Sequence, residues 1–182
     1  MFGILAVAWG LALGYGAGGS YRNLVRSQLR FEIPIVALFV IQGIFRGRLP
    51  FVGATRYAMA VWLASSIVLV ALLWWNRHCP GIALAAVGVL LNVVVVAANS
   101  SMPVSIDHAG LIGALVPQAI VQSGGFYRLI DSGTIAPFLS DVMPLQFAGA
   151  TMLLSLGDVA LMVAVVVYLV SSMRTAPLEQ VR

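Results

Sequence analysis

The chain has 182 residues, 61% of them hydrophobic and only 9% charged, with a mean hydropathy of +1.01. A soluble domain carries roughly a quarter charged residues, so this composition excludes one and leaves a single compact membrane domain of roughly four to six helices. All ten basic residues are arginine and the net charge is +4, but they sit at helix ends rather than in one block, which argues against nucleic-acid binding. The lone Cys79 excludes an internal disulfide, and two histidines leave no basis for a Cys/His metal site or for a bound cofactor.

The first apolar run, roughly Phe2 to Ala17, has no basic leader and no small-residue cleavage site, so it reads as a helix rather than a removable signal peptide. Gly10, Gly14 and Gly18 repeat at four-residue spacing, a stripe of small residues that lets another helix approach closely. Tyr21 to Arg30 then reads as an amphipathic surface helix. Arg22, Arg26 and Arg30 fall on one side and suit anionic headgroups, although a plain basic loop fits the same residues.

Three further spans follow: Ile33 to Phe45, Tyr57 to Trp75, and Pro80 to Ala98. The third ends in Trp74-Trp75-Asn-Arg77, an aromatic and basic pair expected at a membrane interface. The fourth opens on proline, a favourable first-turn residue, and carries Asn92 near its middle. After it come two broken apolar stretches, Leu111 to Val121 and Ile135 to Phe147, each interrupted by proline. Stretches this short are re-entrant, interfacial or buried more often than spanning. The expectation is a segment folded back over the bundle as an outer cap, with 111–121 left open between re-entrant, interfacial and a sixth span.

The last run, Phe147 to Ser172, is the most hydrophobic and holds one charge, Asp158, at its midpoint. A carboxylate near the bilayer centre costs several kcal/mol unless it is paired, protonated or wetted, which makes it a functional candidate. At about 1.5 Å per residue, Asn92 and Asp158 reach similar depths on oppositely running helices, so a side-chain hydrogen bond is expected. The competing reading is a buried bond that only fixes helix register. Arginine counting favours an outer N-terminus and a cytoplasmic C-terminus: Arg22, Arg26, Arg30, Arg77, Arg174 and Arg182 inside, against Arg46, Arg48, Arg56 and Arg128 outside.

Asn92, the Asn99-Ser-Ser-Met-Pro103 turn, the Phe138-Leu-Ser-Asp141-Val-Met-Pro144 segment and Ser155-Leu-Gly-Asp158-Val resemble those of a family of small bacterial polytopic membrane proteins, a domain of unknown function. That family's turn reads Asn-Gly-Gly-x-Met-Pro, and this chain has serines at both glycine positions. The resemblance takes in the arginine-rich segment and nearly the whole chain. It implies a bacterial inner-membrane protein and marks polar positions, but it brings no activity.

The fold expected is therefore all-α: a bundle of about five transmembrane helices over residues 1–174, with a surface helix, an outer cap and a short polar tail at 175–182. Asp158, Asn92, Asn99 and Asp141 are the candidate ligand or proton positions. No catalytic motif accompanies them, and Asp107-His108 are neighbours without a nucleophile. Three functions are carried forward. The first is an accessory or scaffold subunit packed on a partner membrane protein, or on a second copy, within the lipid. The second is a carrier or binding protein for a lipophilic or small ionic ligand. The third is an intramembrane enzyme on a lipid-linked substrate, using Asp107, Asp141 and Asp158.

Overall fold

The computed structural model describes residues 2–24, 29–47, 55–105, 126–147 and 150–174. Arg26, Asp107, His108, the 111–121 stretch and the tail 175–182 lie outside the described residues. Among the described residues there are six helices: α1 (Phe2–Gly16), α2 (Tyr21–Leu24), α3 (Glu32–Gly47), α4 (Thr55–Trp75), α5 (Ile82–Asn99) and α6 (Leu156–Arg174). The described residues between α5 and α6 form four short strands, β1 (Met102–Val104), β2 (Tyr127–Leu129), β3 (Met143–Phe147) and β4 (Ala150–Leu154), and a 3-10 turn, Pro137–Leu139.

Two helices, α5 and α6, are long and apolar enough to cross a membrane. The five spans expected are not all this clear. Helices α1 and α3 have 15 and 16 residues, which at about 1.5 Å per residue fall short of a hydrocarbon core of about 30 Å.

Helices pack in the order α3, α4, α5, α6, α1. Gln42 of α3 donates to Ser66 of α4 at 3.1 Å, while Arg30 before α3 meets Asn76 after α4, so these two helices run antiparallel. Gly88 lies against Gly157 and Gly81 against Ala164, which makes α5 and α6 antiparallel too. One end of the core gathers Leu69, Leu73, Ile82, Ala86 and Ala164; the other gathers Trp62, Val96, Met102 and Phe126. At the second end the Trp62 and Phe126 rings meet edge to face at 5.4 Å, a geometry worth about 0.5–1.5 kcal/mol beyond burial.

The glycine stripe of α1 divides. A side chain on Gly10 would strike Leu169, and one on Gly14 would strike Met173, so these two positions admit α6. Gly18 is different: it lies past the helix end at φ 78°, where an added side chain would meet nothing within 4 Å. Its N–H bonds the Tyr15 carbonyl at 3.0 Å and that of Gly19 bonds Gly14 at 2.9 Å, the paired bonds by which a left-handed glycine closes a helix. The chain then turns onto α6, where the Ser20 N–H and the Asn23 side-chain amide both donate to the Met173 carbonyl, at 2.9 and 2.8 Å. These bonds satisfy a carbonyl in the last turn of α6.

The expected surface helix over 21–30 does not reach Arg30. Helix α2 covers four residues, and the Arg30 backbone is instead engaged on both sides by the buried Asn76 side chain. Arg22 and Arg30 therefore do not share one helical face.

The described part of the segment between α5 and α6 packs on the end of the bundle as short strands and a 3-10 turn, so the fold is mostly helical and not all-α. Strand β1 pairs in parallel with β2, and β3 pairs antiparallel with β4, Met143 opposite Leu154. A bridge between Val104 and Asp141, with the Val142 N–H donating to the Leu154 carbonyl at 3.2 Å, ties the two sheets together. Pro103, Pro137 and Pro144 each lack the amide a helix interior would need. Phe147 to Leu154 thus belongs to a hairpin, not to the last helix. Hydropathy alone does not separate a buried strand from a helix.

Candidate functional site

With α6 beginning at Leu156, Asp158 occupies its first turn rather than its middle. Ser155 precedes the helix, and its hydroxyl accepts the Asp158 N–H at 3.0 Å; the Asp158 carboxylate in turn accepts the Ser155 N–H, more distantly, at 3.5 Å. This reciprocal arrangement is a capping box, in which two otherwise orphaned amides at a helix start find side-chain acceptors. The positive end of the helix dipole also favours a carboxylate there. Placement at a helix start rather than mid-helix is what gives the buried carboxyl group these backbone partners.

Asn92 supplies the second half. Its side-chain amide donates to Asp158 Oδ1 at 2.9 Å, and its own Oδ1 accepts the Ser155 hydroxyl at 2.7 Å. All three side chains are buried, with Asn92 and Asp158 each 2% exposed. A closed ring of bonds, Ser155 to Asn92 to Asp158 to Ser155, therefore locks the start of α6 onto the side of α5. It forms because the backbones approach closely: a Cβ on Gly88 would lie 2.7 Å from the Gly157 carbonyl, and one on Gly157 would collide with Asn92. Asn92 lies seven residues before Asn99, so the ring is about 10 Å inside the outer end of α5.

The cap above it is polar and buried in part. Ser140 and Asp141 are buried, and the Val142–Leu154 backbone bond sets Asp141 beside the segment that leads into Ser155. Asp141 is held in place through its backbone, its N–H donating to the Pro103 carbonyl at 3.0 Å and its carbonyl accepting from Ser105 at 3.1 Å. The Ser140 hydroxyl is buried without a hydrogen-bond partner.

Asn99 stands apart from this ring. Its amide donates to the Val95 and Ile135 carbonyls, at 2.8 and 2.9 Å, and its oxygen accepts from the Ile135 N–H at 2.8 Å and from Arg128 at 3.0 Å. It pairs with Ile135 as a backbone peptide would, and that pins the cap to the end of α5. Arg128 extends the tether, bonding Thr134 at 3.4 Å and approaching Asp131 to 4.0 Å. Among the described residues no group of acids, histidines and cysteines is arranged to hold a metal.

Sequence reasoning brought Asn92 and Asp158 together and quoted Ser155 beside Asp158, but it gave no bonding role to Ser155, Arg128 or Asn76 and did not single out Gly88. For Ser155 the signal was available: Ser-x-x-Asp before an apolar run marks a helix start.

Fold and site define a small, mostly helical protein with membrane-type helices, closed at one end by a strand-built cap over a buried polar ring. It belongs to DUF5317, a family of unknown function, whose model matches residues 27–170. The match takes in α3 to α6 and the cap and leaves α1, Arg22 and Arg26 outside, a narrower span than the sequence resemblance implied. Searches of curated proteins and of solved structures gave no match.

Proposed function

We propose that this protein is a small integral-membrane accessory or scaffold subunit. It would cross the bacterial inner membrane five times, N-terminus outside, and pack against a partner membrane protein. One observation carries the reading: the Asn92, Ser155 and Asp158 side chains bond one another, and this interlocking accounts for a buried carboxylate without any reaction. The antiparallel succession of α3, α4, α5 and α6, with α1 running alongside α6, supports five passes, the short α1 and α3 thinning the bilayer locally to match their length.

A second reading, a binding protein for a small ionic ligand, draws support from the buried Ser140 hydroxyl without a partner beside Asp141, near the Asp158 ring. Extraction into native nanodiscs without detergent, followed by intact-complex mass measurement, separates the two. A second polypeptide at fixed stoichiometry supports the subunit; a retained small molecule on the chain alone favours the binding protein. The chain alone with lipid only would count against both.

A further inference from the structure

One end of the bundle collects arginines from three separate segments. The α2 segment is fastened to the Met173 carbonyl, which sets Arg22 close to Arg174. Asn76, fully buried, accepts the Arg30 N–H at 2.7 Å and donates to the Arg30 carbonyl at 2.9 Å, which sets Arg30 beside Arg77. All four of these arginines are exposed, and among the described residues none makes an ion pair. The one carboxylate at this end among the described residues, Glu32, is exposed and bonded to none of them.

Aromatic rings mark the level. Trp74 and Trp75 are 53% and 61% exposed, and Phe31 and Tyr21 are exposed at the same end; tryptophan and tyrosine are enriched where headgroups meet the hydrocarbon. The Arg77 guanidinium lies 5.5 Å from the Trp74 ring centre, a cation–π contact that steadies it. Two exposed arginines whose backbones are brought together through one buried amide, with Arg77 also donating to the Trp74 carbonyl at 3.2 Å and no carboxylate bonded to either among the described residues, suit a phosphodiester, which the planar fork binds in pairs of hydrogen bonds.

We propose that Arg30 and Arg77, set side by side by Asn76, form a headgroup site for an anionic phospholipid. The proposal rests on membrane placement but not on a partner protein, so a chain that proves to be monomeric leaves it standing. The test is native mass spectrometry of the full chain released from neutral detergent holding equal phosphatidylglycerol and phosphatidylcholine. A basic residue near an anionic surface is worth about 1 kcal/mol, about fivefold in affinity. Arg30→Gln/Arg77→Gln should therefore retain roughly 25-fold less phosphatidylglycerol than wild type at an unchanged melting temperature. Arg56→Gln, the same charge change at the opposite end, should stay within about twofold, and Arg30→Lys/Arg77→Lys within about fivefold. Equal retention of both lipids by wild type overturns the site. So does a glutamine variant that holds phosphatidylglycerol as well as wild type, a lysine variant that loses as much as the glutamine one, or an equal loss with Arg56→Gln.

Discussion

Ser155 and Asp158 show how one residue's role changes with its place along a helix. The pairing of Asp158 with Asn92 was legible in the sequence because two polar residues in apolar runs reached matching depths. The capping role was not, because Phe147 to Leu154 is as apolar as a helix and the run was read straight through Ser155. Ser155→Ala removes both an amide acceptor and the donor to Asn92, so it should cost about 1–2 kcal/mol in thermal or denaturant unfolding of the detergent-solubilised protein. A loss under about 0.3 kcal/mol would mean the ring bears no load. Ser100 carries the opposite expectation. It sits at φ 52° just after α5, a left-handed conformation that costs an ordinary residue about 1–2 kcal/mol and glycine far less. Ser100→Gly should therefore raise stability by about 0.5–1 kcal/mol, the net after glycine's greater unfolded-state entropy. A destabilising effect would point to an unseen role for the hydroxyl.

Element by element, the five long helices were readable from apolar run length, and their neighbours less so. The stripe Gly10, Gly14, Gly18 looked uniform because spacing alone does not reveal where a helix stops; Gly18 ends α1 rather than packing it. Gly14→Leu should accordingly disrupt the α1–α6 contact against Met173, while Leu13→Ala on the exposed flank should be nearly silent. The closest approach belongs to Gly88 and Gly157; the small residue beside Asp158 is a legible sign of close helix approach, whereas a lone Gly88 inside a valine-rich helix gives little warning that it is the partner. Gly157→Ala places a methyl group against Asn92 and the Gly88 carbonyl, so a loss of about 2 kcal/mol or more is expected, in the upper part of the usual cost of overpacking. Wild-type unfolding in that variant would show that α5 and α6 separate without penalty. The pairing of β1 with β2 and the Val104–Asp141 bridge escaped sequence reading because they join distant residues, while β3 and β4 pair locally but β4 is as apolar as the helix it leads into.

For the molecule as a whole, sidedness and the use of its polar interior are the questions. Cys79 lies at the arginine-rich end but is buried, and burial pushes its thiol above the ordinary range. A raised value keeps the neutral thiol through neutral pH, so Cys79 should react slowly with thiol reagents even on the accessible side, and faster as pH rises above the ordinary thiol value. His78 is exposed, and His78→Cys with Cys79→Ser is the better reporter. An impermeant reagent should leave it unlabelled in intact cells and label it promptly after permeabilisation; prompt labelling of intact cells would reverse the orientation. The claim underneath all of this is that Asp158 serves by bonding rather than by its charge. Complementation of a strain deleted for the gene, read beside the unfolding and yield of each purified variant, tests it most directly. Asp158→Asn keeps the size and an acceptor for Asn92 and is expected to complement fully at near wild-type yield, while Asp158→Leu should lose both. An Asp158→Asn protein that folds, assembles and yet fails to complement would contradict the claim and assign the carboxylate a proton or ion to carry.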